Sequence, residues 1–130
     1  MRIMIDTNVL ISASLFPKSR LGQAIKPLSD KHTVILCTSI LDELHDVYGR
    51  KFPDKLDALE QFLKEFSFET VYTPKNIDNV LQIRDKKDAP ILASAILEDA
   101  DVLITGDGDF SAVEIERPEI LSPAEFLAKY

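Results

Sequence analysis

A chain of 130 residues with 45% hydrophobic and 28% charged residues, four Gly and no low-complexity run has the length and composition of one folded domain with its own core, which excludes a disordered or fibrous protein. The formal charge of -7 argues against nucleic acid held on a broad basic surface, because such binding rests on many phosphate neutralisations; bound cations or a local basic rim would have to reverse the field. Met1-Arg2-Ile3-Met4-Ile5-Asp6 is too short and too soon acidic for a secretory signal, and no apolar stretch approaches a membrane span, so a cytoplasmic protein with no membrane contact is expected.

In chain order, Arg2-Ile3-Met4-Ile5 suits a short buried strand, and Asp6-Thr7-Asn8 turns sharply into a helix over Val9 to Ser14 that Pro17 stops. A short helical stretch from Leu21 to Leu28 precedes a second strand at Thr33 to Cys37. The lone Cys37 lies inside that apolar run, which favours a buried thiol over a disulfide, a zinc ligand or a nucleophile. Ser39 followed by Asp42 resembles a capping box, and a helix is expected from about Ile40 to Tyr48. Its residues Ile40, Leu41, Leu44, Val47 and Tyr48 share one face, Glu43 falls on the margin of that stripe, and Asp42, His45 and Asp46 point toward solvent. A further helix from roughly Asp54 to Phe66 buries Leu56, Leu59, Phe62, Leu63 and Phe66, and a third strand follows at Glu69 to Tyr72.

Asn76 caps a short helix through Ile83, and Arg84 to Asp88 forms a charged turn. The segment Ala89 to Leu97 is apolar nearly all round and so predicts a central helix, with Pro90 in its first turn and Asp88 at or just before its N-terminus. Val102-Leu103-Ile104 is the fourth strand, ending in Thr105-Gly106-Asp107-Gly108-Asp109-Phe110. Ser122-Pro123-Ala124-Glu125 is a capping box that opens a last helix to Ala128. Strands alternating with helices, and no two-residue hairpin turn, imply an α/β protein with a parallel sheet covered on both faces, in a single domain over residues 1–130.

Ligands of open parallel sheets bind beyond the carboxyl ends of the strands, and acids of this chain cluster there. Asp6 follows the first strand, Glu43 lies in the first turns of the helix after the second, Asp107 and Asp109 follow the fourth, and Asp88 opens the helix that feeds it. Carboxylates about 4 Å apart repel by about 4 kcal/mol per pair at an effective dielectric near 20, so a gathered set needs protons or a cation. Oxygen donors without His or Cys suit Mg²⁺ or Mn²⁺, and such ions assist in-line displacement at phosphorus, which points to phosphodiester hydrolysis. Taken singly, each acid has a plainer reading: a turn or helix cap for Asp6 and Asp88, an exposed helical side chain for Glu43, a glycine-rich turn for Thr105 to Asp109. Their joint placement carries the hypothesis.

Ile5-Asp6-Thr7-Asn8-Val9-Leu10 resembles the first motif of the PIN-domain nucleases, Ser39-Ile40-Leu41-Asp42-Glu43-Leu44 the second, Lys87-Asp88-Ala89-Pro90-Ile91-Leu92-Ala93-Ser94-Ala95 the third and Leu103-Ile104-Thr105-Gly106-Asp107-Gly108-Asp109-Phe110 the fourth. Ile120 to Leu127 resembles the usual ending, and the small stand-alone, VapC-like prokaryotic toxins of toxin–antitoxin pairs are the members most similar in layout. The resemblance implies a three-layer α/β/α fold around a parallel five-stranded sheet and Mg²⁺- or Mn²⁺-dependent cleavage of RNA. It puts Asp6, Glu43, Asp88 and Asp107 at the four catalytic, metal-binding acids and Asp109 at a further metal-binding one, with Asn8 and Thr105 as polar residues that orient them. Asp85 is a rival to Asp88 in the charged turn. It also implies an antitoxin partner and a homodimer.

Lys18, Arg20, Arg50, Lys51, Lys86 and Lys87 are candidates for a basic rim that meets RNA phosphates, or equally for a solvated face. His32 and His45 read as surface residues, and Tyr48 and Phe110 as core, with Phe110 also able to stack on a base. A phosphorylatable receiver domain needs an acid after the third strand, where Val71-Tyr72-Thr73 has none; a haloacid-dehalogenase-type phosphatase needs Asp where Asn8 stands. An EF-hand fails on Ala112 at its sixth position, and no phosphate-cradling glycine loop with Lys is present. A non-catalytic PIN-like binding module for RNA or protein, or a housekeeping RNA-processing nuclease, are the alternatives to a toxin.

Overall fold

The computed structural model describes residues 1–73, 89–106 and 117–130. Strands β1 (Arg2–Ile5), β2 (Thr33–Cys37), β3 (Glu69–Val71), β4 (Val102–Ile104) and β5 (Glu119–Leu121) form one five-stranded sheet in the order β3-β2-β1-β4-β5, and every neighbouring pair is parallel. The first strand is central, with Met4 opposite Ile35 on one side and Leu103 on the other. Uninterrupted apolar runs form these inner strands because both faces are covered: Ile3, Met4, Ile5, Ile35 and Leu103 are fully buried. The edge strand β3 exposes Glu69 and Thr70.

Between the strands run α1 (Thr7–Leu15), α2 (Arg20–Ile25), α3 (Leu28–Lys31), α4 (Thr38–Lys51), α5 (Leu56–Glu65), α6 (Ala89–Leu97) and α7 (Pro123–Lys129), with a 3-10 turn at Pro53–Lys55 before α5. Helices α1, α4 and α5 pack on one another. The chain moves outward from β1 through β2 to β3, then crosses back past β1 to reach β4. Helices cover both faces of the sheet in a three-layer α/β/α arrangement, and α6 also meets α4. The direction of winding changes between β1 and β4, so the crevice beyond their carboxyl ends is the topological switch point where such sheets bind ligands.

Several elements differ in detail from the expected ones. Helix α1 begins at Thr7 rather than Val9, because Asp6 caps it by accepting from the Thr7 N–H. The stretch from Leu21 to Leu28 breaks at Pro27 into α2 and α3. Ser39 does not cap α4: the cap position is Cys37, without a side-chain bond, and the Ser39 N–H donates instead to Thr73 Oγ1 at 2.9 Å. Thr73 N–H in turn donates to Thr38 Oγ1 at 3.1 Å, so the chain leaving β3 supplies the cap that the local sequence does not. Helix α4 also runs on to Lys51, with Arg50 and Lys51 favourably placed at the negative end of its dipole. The fifth strand is Glu119–Leu121, a segment that no residue pattern singled out.

Other readings agree. Cys37 and Tyr48 are buried, and Ser122 and Glu125 form both bonds of the capping box at 3.1 and 2.9 Å. The expected helix from Asn76 to Ile83 and the charged turn Arg84 to Asp88 lie outside the described residues. No helix among those described is long and apolar enough to cross a membrane.

Candidate active site at the switch point

Strand β1 ends at Ile5 and delivers Asp6 to the carboxyl edge of the sheet, where its N–H donates to the Ile104 carbonyl of β4 at 2.9 Å. That bond continues the ladder one residue beyond β1 and ties the position of Asp6 to β4. Asp6 is buried, 5% exposed. Its Oδ1 accepts from the Thr7 N–H at 2.7 Å and its Oδ2 accepts from the Thr105 hydroxyl at 2.8 Å. Capping α1 also sets the charge against the positive end of that helix dipole. A buried carboxylate held from two sides in this way has a fixed rotation, as a metal ligand or an acid that contacts substrate requires.

Glu43 reaches the same crevice from the second turn of α4. Its Oε2 accepts from the Thr7 hydroxyl at 3.1 Å, so Thr7 donates through its backbone to one acid and through its side chain to the other. Thr7 is buried, 1% exposed, whereas Glu43 is exposed. The sequence reading assigned no role to Thr7; the only signal was its position directly after Asp6, since its second partner is 36 residues away.

The described residues thus bring Asp6, Glu43 and Thr105 together. Asn8 is exposed on the first turn of α1, and its side chain makes no hydrogen bond among the described residues. Asp88, Asp107, Asp109, Lys86 and Lys87 lie outside the described residues, as do Asp85 and Phe110. Among the described residues no three His, Cys, Asp or Glu side chains gather closely enough to hold a metal ion. The donor set that is described, carboxylate oxygens oriented by hydroxyl groups with no nitrogen or sulfur, fits a hard divalent ion and does not fit zinc or copper.

The basic candidates sit elsewhere. Arg20 lines a cleft of about 450 Å³ between α2 and α7 together with Lys31 and His32, which precede β2 and so belong to the amino edge of the parallel sheet, opposite Asp6. Lys18 borders a second depression with Lys26, Asp30 and Glu65. Arg50 is paired with Asp46 at 3.0 Å on the exposed surface of α4, and Lys51 ends that helix. Of the two histidines, His45 is exposed, with Nε2 2.8 Å from Glu60 Oε1, and His32 is partly exposed, its pKa lowered by burial and then by the adjacent N-terminus and Lys31.

The fold and the site define a doubly wound α/β protein with an acidic crevice at its switch point. The chain belongs to the PIN-domain family, whose profile matches residues 2–109, as the resemblance read from its motifs implied. Solved structures with the same fold include VapBC2 from Rickettsia felis bound to a DNA fragment from its promoter, 22% identical at a TM-score of 0.70 over 94% of this chain and 98% of that one. A protein of Pyrobaculum aerophilum is 15% identical at a TM-score of 0.64, over 99% of this chain and 88% of its own. Mycobacterium tuberculosis VapC20, a toxin that cleaves the sarcin-ricin loop, is 17% identical at a TM-score of 0.60, over 87% and 98%. No curated protein sequence matches the chain.

Proposed function

We propose that this protein is a ribonuclease that hydrolyses RNA phosphodiester bonds with Mg²⁺ or Mn²⁺, and that it is the toxin of a toxin–antitoxin pair acting in the cytoplasm. The observation that carries the reading is the buried, doubly held Asp6 carboxylate at the switch point, joined through Thr7 to Glu43. Asp6, Glu43, Asp88 and Asp107 would hold the ion, with Asp109 as a further ligand. When bound, the ion neutralises the gathered carboxylates and stabilises charge developing on the scissile phosphate. Thr105 and Thr7 orient Asp6 and Glu43, and Asn8, exposed beside them, is assigned to orienting the acids that follow β4. Lys86 and Lys87, adjacent to Asp88 in sequence, are assigned to the RNA phosphates. The toxin reading also carries an antitoxin partner over the acidic crevice and a homodimer.

The test is cleavage of assorted RNAs in Mg²⁺ or Mn²⁺ by the wild type beside Asp6→Asn and Asp107→Asn. Loss of a single ligand in such a site is expected to lower the rate by about 100-fold or more. Equal activity in all three proteins would assign the cleavage to a contaminant and remove the enzyme claim.

A further inference from the structure

A second hydrogen-bonded link joins the two helices that carry the site. Tyr48, fully buried on α4, is bonded through its hydroxyl to Ser14 Oγ on α1. Ser14 Oγ also donates to the Ile11 carbonyl at 3.1 Å. Either hydroxyl can donate across the Tyr48–Ser14 contact, and when the Ser14 proton lies on the Ile11 carbonyl the donor is the Tyr48 O–H.

Its surroundings give no other reason for a hydroxyl. The Tyr48 ring packs edge-on against Phe52 at 5.7 Å within a hydrophobic cluster, where Phe would fill nearly the same volume without burying a polar oxygen. Apolar packing alone leaves helices free to slide and roll by small amounts, whereas a hydrogen bond between buried groups fixes distance and direction. Along α1, Ser14 lies about two turns beyond Thr7, and along α4, Tyr48 lies about one and a half turns beyond Glu43. The α1–α4 contact is thus pinned twice, by Thr7 and Glu43 at the crevice and by Ser14 and Tyr48 behind it.

We propose that the Tyr48–Ser14 pair is a positioning device for Glu43: by locking α4 against α1 in height and rotation, it holds Glu43 on the Thr7 hydroxyl and so beside Asp6. The metal arm of the test rests on the function proposed above; the geometric arm does not.

Glu43 would be followed in metal-free protein by the NMR resonance of its carboxyl carbon, and Mn²⁺ affinity by calorimetry, in the wild type and in Tyr48→Phe, Thr7→Val and Asp6→Asn. Phe126→Leu, which loosens the core at α7, serves as the control for general destabilisation. Tyr48→Phe is expected to move the Glu43 resonance in the direction that Thr7→Val moves it, leave that of Glu125 on α7 in place, and weaken Mn²⁺ binding by about 10-fold. Phe126→Leu is expected to lower the melting temperature with neither change. A Glu43 signal that is unaltered in Tyr48→Phe, or altered equally in Phe126→Leu, overturns the proposal. Failure of the wild type to bind Mn²⁺ would retire the metal reading, and the carboxyl resonances would still decide the positioning role.

Discussion

Thr7 divides its two donors between two carboxylates, and a residue with that duty tolerates little rearrangement around it. A comparable constraint acts on Gly22, where α2 folds back on the end of α1. A Cβ there would lie 2.5 Å from the Phe16 carbonyl oxygen and 2.8 Å from Pro17 Cα, both backbone atoms that cannot swing aside. Alanine gains about 1 kcal/mol of helix propensity over glycine, but forcing a methyl into a closed contact costs about 1 to 3 kcal/mol, so Gly22→Ala is expected to be destabilising on balance in urea unfolding. Neither role was visible in the sequence: the second partner of Thr7 is 36 residues away, and the crowding at Gly22 comes from the way the chain folds back after Phe16 and Pro17. Asp6 was legible only together with the other acids at the strand ends and through the family resemblance, since alone it reads as a turn or helix cap, and Thr105 was legible through that resemblance.

The helices show where local pattern loses to long-range contact. The apolar stripe of α4 was readable from Ile40, Leu44 and Tyr48, which are buried, but its start was not, because Thr73 satisfies the Ser39 amide from 34 residues away. Strand β5 escaped for a different reason: three residues at a sheet edge, with Glu119 and Ile120 only half-buried, are too short to carry a period.

Helices α4 and α5 are also joined by a titratable bridge. His45 Nδ1 faces the Leu41 carbonyl at 2.9 Å and Nε2 faces Glu60 Oε1 at 2.8 Å, so both ring nitrogens meet acceptors and the imidazolium is favoured. The carbonyl first, and then Glu60, raise the His45 pKa above its ordinary value. A raised folded-state pKa adds stability that is complete below the usual value of ~6.5 and disappears as the pH climbs through the folded one. The side chain is 47% exposed, which keeps the effect small. Urea midpoints compared at about pH 5.5 and about pH 8.5 should therefore show the wild type's advantage over His45→Gln only at the lower value.

At the scale of the molecule, the net charge of -7 sets the response to ions. In the metal-dependent reading, Mn²⁺ at 100 times its dissociation constant adds about 2.7 kcal/mol to stability by mass action, and Asp6→Asn should lose that gain while keeping its response to monovalent salt. A wild-type melting curve that is indifferent to Mn²⁺ would count against a preformed site. The sheet itself was legible as parallel and two-sided because strands alternate with helices and no two-residue hairpin turn joins them. The family resemblance supplied the number of strands, which the residue pattern did not.

The strand order has a consequence for how the protein is made. Asp6 is synthesised well before its partner Thr105, which follows 99 positions later, and the strand that aligns it, β4, is equally late. Until translation has passed that point, the emerging chain can assemble β1, β2 and their helices but has nothing to close the crevice against. In the ribonuclease reading, the unfinished enzyme would in this way stay harmless to the message and the machine that are producing it.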